Sequence, residues 1–335
     1  MHAHLDHRVG ARLRLRHLEL LDVLGSTLNV HHAAPRMNLS QPATSKLLQE
    51  TEQIYGTALF ERGPRGLRAT RAGDTAIRWA RSLLYQAGES VAEVHLVAAG
   101  AVGRVRVGAL SVAIPTLIEP ALQQARSQIP GLVITFTEGS NELLLPALAR
   151  NQLDVVLSRL GSDTQNASYL SEPLYDEPIR LVVRPRHPLL RKRKLSMSDL
   201  ADVQWVLPPE LAPMRQQLGW VFGQCGMRIP VPRIETTSQM LLTIALNQTD
   251  MVAAMPLSVA TLYQSWGQLT ILKLILPIAM PPVGMLTHAH AVHAPAVESF
   301  IRMIREAGSQ QPTAIARAKV NENQPTAKRG AASAS

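Results

Sequence analysis

One cysteine, Cys225, in 335 residues leaves no possibility of an intramolecular disulfide and points to a reducing compartment. Cys225 itself has no neighbouring base and reads as a core residue. The first residues carry charges and histidines in place of an apolar export segment, and no run approaches the ~18 uninterrupted apolar residues of a membrane helix. A cytoplasmic protein with no membrane partner is expected. The short motifs of common catalytic sites are missing too: there is no glycine-rich phosphate loop, no HExxH or His/Cys metal cluster, and no GxSxG elbow. Nothing therefore nominates a catalytic residue, a metal or a cofactor. His288, His290 and His293 alternate, but without carboxylate or cysteine companions they read as exposed histidines of a strand or loop.

A hydrophobic content of 46% suits globular folding, and the length allows one large or two to three ordinary domains. The net charge is +9, yet its distribution is not decisive. Ten cationic residues face six acidic ones over residues 1–71, and twelve face seven over 181–308. The run Arg191, Lys192, Arg193, Lys194 follows His187-Pro188 and precedes a serine cap at Ser196 or Ser198, which suits a solvated loop better than a phosphate site.

The most informative stretch spans residues 33–56, AAPRMNLSQPATSKLLQETEQIYG. It reads as two short helices around one turn. Ser40 is placed to accept from an unpaired N–H in the first turn of the second helix, and Pro42 sits where its missing donor costs little. Pro42, Ser45, Lys46 and Gln49 then share one face, while Ala43, Leu47, Leu48, Ile54 and Tyr55 lie mostly on the other. A positive helix N-terminus followed by short polar side chains suits a major groove, although an ordinary capped surface helix fits this stretch alone equally well. Beyond Gly56, Leu59–Arg62 and Leu67–Thr70 read as two short strands around Gly63-Pro64-Arg65-Gly66, with three arginines on or beside them. Such a basic wing beside a helix-turn-helix strengthens the DNA-binding reading, because wing and helix grip neighbouring grooves.

Through AAPRM, SQPATSK, YGTALFER and LRATRAG, residues 14–74 resemble the DNA-binding domain of LysR-type transcriptional regulators. The resemblance implies that Gln41, Ser45 and Lys46, flanked by Pro42 and Gln49, face base edges or phosphates. It implies that Ser40 presents the helix N-terminus to a phosphate, and that Arg62, Arg65 and Thr70 hold the backbone or enter the minor groove. Two departures stand out: Pro35 replaces a helix-friendly polar residue, and Thr51 replaces a leucine, which predicts looser packing there.

Residues 72–99 form one helical pattern with Ile77, Ala80, Leu84, Ala87, Val91, Val94 and Ala98 at alternating three- and four-residue intervals, the spacing of a coiled-coil seam. In the resembled family this is the linker helix through which subunits pair, so a homodimer or homotetramer on double-stranded promoter or operator DNA is implied. After Gly100–Gly103, strands and helices alternate in the rhythm of an α/β domain: Val105–Leu110, a helix over Pro115–Gln128, Leu132–Glu138, a helix over Asn141–Asn151, and Asp154–Ser158. A second unit follows with Ile179–Val183, Gln204–Leu207, a helix over Met214–Cys225, Arg233–Glu235, a helix over Gln239–Asn247 and Met251–Met255. The expected fold is α+β and multidomain. It comprises a disordered leader (1–13), a winged helix-turn-helix (14–71), a linker helix and hinge (72–101), and a two-lobed α/β effector-binding domain of periplasmic-binding-protein type (102–307). Lobe 1 takes 102–173 and 275–307, lobe 2 takes 174–274, and residues 308–335 form a disordered tail.

Two α/β lobes define a cleft at strand C-terminal ends and helix N-termini. Ser111, Ser140, Asn141, Thr237 and Ser238 occupy such positions and, with the cationic Arg159 and Arg215, are the candidate effector-binding residues. For any single one, ordinary capping explains the residue as well. VRVGALSV, EGSNELLLPAL, LDVVLSRL and the PPELAPMR to IETTS region resemble a branch that includes regulators of sugar uptake and of aromatic-acid breakdown, so a sugar or an aromatic acid is the implied effector. An enzyme or a solute-binding module with an accessory DNA-binding domain is the competing expectation.

Overall fold

The computed structural model describes residues 12–63, 66–289, 291 and 293–311. Most of the expected leader and tail, together with Arg65 and His290, lie outside the described residues. The chain packs as two compact units, Met1–Gly103 with Pro146–Leu153, and Arg104–Leu145 with Asp154–Ser335.

The first unit contains α1 (Leu15–Thr27), α2 (Val30–Arg36), α3 (Gln41–Tyr55), the hairpin β1 (Phe60–Gly63) and β2 (Gly66–Ala69), and the long α4 (Arg71–Ala98). Its core is organised by α1, whose Leu18, Leu21 and Leu24 recur at helical spacing and are buried against Ala33 of α2, Leu47 and Leu48 of α3, and Ile77 and Ala80 of α4. Thr51, where looser packing was expected, is fully buried; its Oγ1 donates to the Leu47 carbonyl at 2.7 Å, so the hydroxyl is satisfied on its own helix. Pro35 is accommodated because it lies on the exposed side near the end of the short α2.

The seam along α4 divides in two. Ile77 and Ala80 close the core of their own domain, with Leu84 packed against it, whereas Val91, Val94 and Ala98 are exposed, with the exposed Val97 beside them. The distal half of the seam stays uncovered, whereas α1 covers its proximal turns; Trp79 and Leu83, exposed on the proximal half, lie off the seam.

From Gly103 the chain runs through β3 (Gly103–Ala109), 3-10 and π turns over Ser111–Ala113 and Ile114–Ile118, α5 (Glu119–Gln128), β4 (Leu132–Glu138), α6 (Asn141–Ala149), β5 (Val155–Arg159), β6 (Tyr169–Tyr175) and β7 (Ile179–Val183). It continues with β8 (Val206–Leu207), α7 (Pro213–Gln224), β9 (Ile234–Glu235), α8 (Gln239–Gln248), β10 (Ala253–Pro256), α9 (Leu257–Ser265), β11 (Thr270–Ile271), β12 (Val283–His288) and α10 (Pro295–Ser309). The helix expected over Pro115–Gln128 starts later, because Pro115 and Pro120 lack the N–H groups a regular α ladder needs; 3-10 and π turns replace its first turns.

A five-stranded sheet in the order β4-β3-β5-β12-β6 carries the first core. β3 and β5 are parallel, and β12 enters antiparallel between β5 and β6, so the chain returns late to its first sheet. Val105, Val107, Val155 and Leu157 pack from it against Leu117 and against Phe300 and Ile304 of α10. A second sheet, β10-β7-β11, is antiparallel. Alternate residues of β7 serve two faces: Ile179, Leu181 and Val183 meet Trp205 and Phe222, while Val182 meets Leu242, Leu246 and Met255. Burial on both faces explains the unbroken apolar run in this strand.

One expectation is overturned. Cys225 is exposed, not core. By spacing it continues the buried stripe of Leu218, Val221 and Phe222, but α7 stops at Gln224 and the chain leaves through Gly226 at φ +68°, which carries the thiol outward.

Candidate nucleic-acid interface and effector residues

The start of α3 is built by capping. Ser40 Oγ accepts from the Ala43 N–H at 3.4 Å, and Thr44, buried beneath, returns its hydroxyl to the Ser40 carbonyl at 3.0 Å. Thr44, Leu47, Leu48 and Thr51 hold one side of the helix in the core. Gln41, Pro42, Lys46 and Gln49 are exposed on the other side, with Ser45 half-buried at its margin. Tyr55, assigned to the core face, is 36% exposed, since it closes the helix just before Gly56 at φ +69°. Lys46 lies 4.0 Å from Glu50 in a loose, exposed ion pair, which leaves its ammonium mobile. Gln41 Oε1 lies 3.4 Å from Nδ1 of His31 on α2, a neighbour the pattern of α3 alone did not reveal.

The wing is fastened at three points. Glu52 Oε1 on α3 accepts from the Leu59 and Phe60 N–H groups at 2.8 and 3.1 Å. Leu67 N–H donates to the Leu28 carbonyl at 2.6 Å, and at Gly66, with φ +129°, a Cβ would meet that same carbonyl oxygen at 2.6 Å. Thr70 caps α4: its Oγ1 accepts from Gly73 N–H at 3.0 Å and donates to the Ala58 carbonyl at 3.0 Å. Its hydroxyl is therefore engaged by the fold. Arg62 and Arg68 are exposed on the two strands, and Arg62 pairs across to Leu67. Arg65 lies outside the described residues.

In the second unit, Ser111 follows β3, Ser140 and Asn141 follow β4, and Arg159 ends β5, all on neighbouring strands of one sheet. Asn141 donates to Asp163 Oδ2 at 2.6 Å and accepts from the Ser158 hydroxyl. Arg159 donates to the Pro281 carbonyl at 2.8 Å and the Glu177 carbonyl at 3.2 Å, and burial lowers its pKa. Glu177 is buried, which raises its pKa against the opposing effect of a 2.8 Å hydrogen bond from Ser258 N–H and of nearby Arg159. Ser238 caps α8 through Leu241 N–H at 3.3 Å, with Thr237 exposed before it. Arg215 donates weakly to the Pro230 carbonyl at 3.5 Å, and its Nη1 is buried without a hydrogen-bond partner among the described residues. A cavity of about 590 Å³ between α8 and α9, with Thr243, Asn247, Tyr263 and Trp266 in its wall, includes none of these residues.

The other sequence features are surface structure. Arg191–Lys194 are exposed, Lys192 pairs with Asp199, and this pairing pushes the Asp199 carboxyl down to about 2. Ser196 caps the turn that follows. His288 ends β12, and the described residues hold no group of three His, Cys, Asp or Glu side chains arranged for a metal. No helix among the described residues is long and apolar enough to cross a membrane.

A helix-turn-helix with a fastened wing, followed by a long helix and an α/β domain built on a five-stranded, a three-stranded and a two-stranded sheet, defines a DNA-binding regulator class. Residues 15–74 match the family described as bacterial regulatory helix-turn-helix protein, lysR family, and residues 98–309 match the LysR substrate binding domain. The chain belongs to the LysR family. It is a DNA-binding transcription regulator with an effector-binding domain. The HTH-type transcriptional regulator PcaQ of Agrobacterium fabrum is 30% identical over 90% of this chain and 97% of its own. The HTH-type transcriptional regulator GbpR of Azospirillum brasilense is 28% identical over 89% of this chain and 87% of its own. In fold, the chain resembles full-length CbnR solved with its target DNA, at a TM-score of 0.57 and 20% identity over 88% of this chain and 100% of that one. It also resembles a full-length OxyR variant from Pseudomonas aeruginosa, at 0.56 and 21% over 94% and 98%.

Proposed function

We propose that α3 lies in the major groove of operator DNA with Gln41 and Ser45 toward base edges and Pro42 and Gln49 beside them. Lys46 supplies charge. The Ser40 helix start, Arg62 and Arg65 follow the phosphates, and Thr70 acts by fixing the wing to α4. The observation that carries this reading is the division of α3 into a buried face and an exposed polar face beginning at a capped, unobstructed N-terminus. Two copies pair through the distal stripe of α4, Val91, Val94 and Val97, and so read a two-fold site. A gel-shift titration with the DNA upstream of its own and adjacent genes tests it: retardation that weakens steeply with salt is expected, and no retardation at low salt refutes it.

The effector is a small carboxylate, such as an aromatic acid, held in the second unit. Arg215 supports this reading, because a buried guanidinium N–H without a partner is costly until an anion satisfies it. Ser111, Ser140, Thr237 and Ser238 supply hydroxyls at strand ends, while Asn141 and Arg159 shape the site through the bonds they already make. Binding favours one lobe arrangement and so repositions the paired α4 helices. Thermal-shift screening of the full chain against aromatic acids and sugars decides the class: stabilisation by sugars alone refutes the carboxylate.

A further inference from the structure

His31 is the side chain that touches the proposed base reader yet belongs to the other helix of the motif. Its backbone is fixed, because Asn29 caps α2 and its Oδ1 accepts from the His31 N–H at 2.8 Å. Ala33 and Ala34 bury the opposite side of α2, so residue 31 stays at the surface beside the start of α3. The His31 ring packs edge-to-face on His32, with centroids 5.7 Å apart, and its Nδ1 lies 3.4 Å from Gln41 Oε1. A protonated Nδ1 donates to that amide oxygen, and the NH2 end of Gln41 is then the end turned away from His31.

We propose that His31 is a specificity-determining positioning residue: by holding Gln41 Oε1 it presents the amide to the groove as a hydrogen-bond donor. The inference rests on the reading of Gln41 as a base contact. Glutamine recognises adenine through both ends of its amide, donating to N7 and accepting from N6. With Oε1 engaged on the protein side, the outward NH2 instead suits a base edge made of acceptors, guanine N7 and O6. Neither a phosphate contact nor a simple packing role for His31 makes that distinction.

Selection of binding sites from a randomised duplex pool by the full-length protein, repeated with Gln41→Ala, His31→Ala and His31→Asn, tests the inference. Asn is the conservative variant because its amide N–H occupies nearly the position of His Nδ1. The wild type is expected to prefer guanine at one position per half-site, and Gln41→Ala to flatten the preference there. His31→Ala is expected to shift that same position toward adenine by ~10-fold, the scale of one bidentate contact, with His31→Asn retaining guanine. The double variant should match Gln41→Ala alone. If Gln41→Ala flattens one position and His31→Ala leaves it unchanged, or lowers affinity for all sequences alike, the role given to His31 is wrong. If Gln41→Ala alters no position, the base-contact reading fails and the inference falls with it. Thermal melting of each variant checks that the domain remains folded.

Discussion

The carboxylate of Glu52 on the recognition helix accepts the N–H of Leu59 at 2.8 Å, and that of Phe60 with the same oxygen, where the chain enters the wing. One acidic side chain thus sets the position of a basic hairpin relative to the helix beside it. Hydrogen bonds to an ionised group are the stronger kind, and leaving two partly buried N–H groups unpaired adds to the loss. Glu52→Ala should lower the stability of the DNA-binding unit by about 2–4 kcal/mol by denaturant unfolding. Specific DNA binding should fall with it, whereas Glu50→Ala, which removes a loose exposed pair with Lys46 and a charge near His17, should change stability at neutral pH by less than about 0.5 kcal/mol.

A methyl group at residue 73 would stand 2.0 Å from the Leu59 carbonyl oxygen, with backbone on both sides of the clash. Gly73→Ala should therefore displace α4 from the wing and abolish sequence-specific retardation in gel shifts. The circular-dichroism signal of the second unit should persist, since its cores contain no residue of this region.

Among the proposed DNA contacts, substitutions should separate by kind. Ser45→Ala should weaken binding to the operator more than to random DNA, by ~1 kcal/mol, because a base-edge contact carries sequence information. Arg62→Ala should weaken both alike and reduce the slope of log K against log salt by about one. Equal losses for the two substitutions would contradict the assignment.

His17 accepts from the Arg14 N–H at 3.0 Å through Nδ1, so the folded state requires an unprotonated nitrogen there. Burial is the main cause that lowers its pKa below 6.5, with Glu50 opposing and Arg14 and Arg16 assisting. The folded chain then binds fewer protons than the unfolded chain below that pH. Stability is present above about 6.5 and is lost as pH falls through the folded value. Thermal melts at pH 7.5 and 5.5 should show a lower Tm at acid pH, and His17→Gln should reduce the difference.

Arg159 and Arg215 should respond oppositely. Arg159→Ala leaves the part-buried Pro281 and Glu177 carbonyls without their donor and should cost the second unit about 1–3 kcal/mol. Arg215→Ala removes one weak contact and should change stability little, by less than about 1 kcal/mol, while abolishing stabilisation by a carboxylate effector. Paired thermal-shift curves with and without effector separate the two.

Much of the first unit was legible because its signals are local. The Ser40 cap, Pro42 in the first turn and the alternating faces of α3 all follow from residues within one or two turns of each other. The apolar period of α4 was visible as well, yet a period does not say which partner covers it. Ile77 and Ala80 went to α1, and Val91, Val94 and Ala98 did not. Cys225 misled because the lack of a neighbouring base says nothing of burial; the end of α7 at Gln224 and the turn through Gly226 carry the thiol outward.

By itself, the sequence determined the helices and hairpin of the first unit, many of the helices and strands of the second, and which family motif the N-terminus carries, since propensities, caps and periodicity act over a few residues; β6, α9, β11 and β12 carried no such local signal. Tertiary structure alone decided the pairings made between separate elements: His31 with Gln41, Glu52 with Leu59, and Arg159 with the Pro281 carbonyl 122 residues away. Such contacts depend on packing geometry, which no local pattern records. They gave Arg159, expected as a candidate ligand for an anion, the contacts of a strut in the second unit.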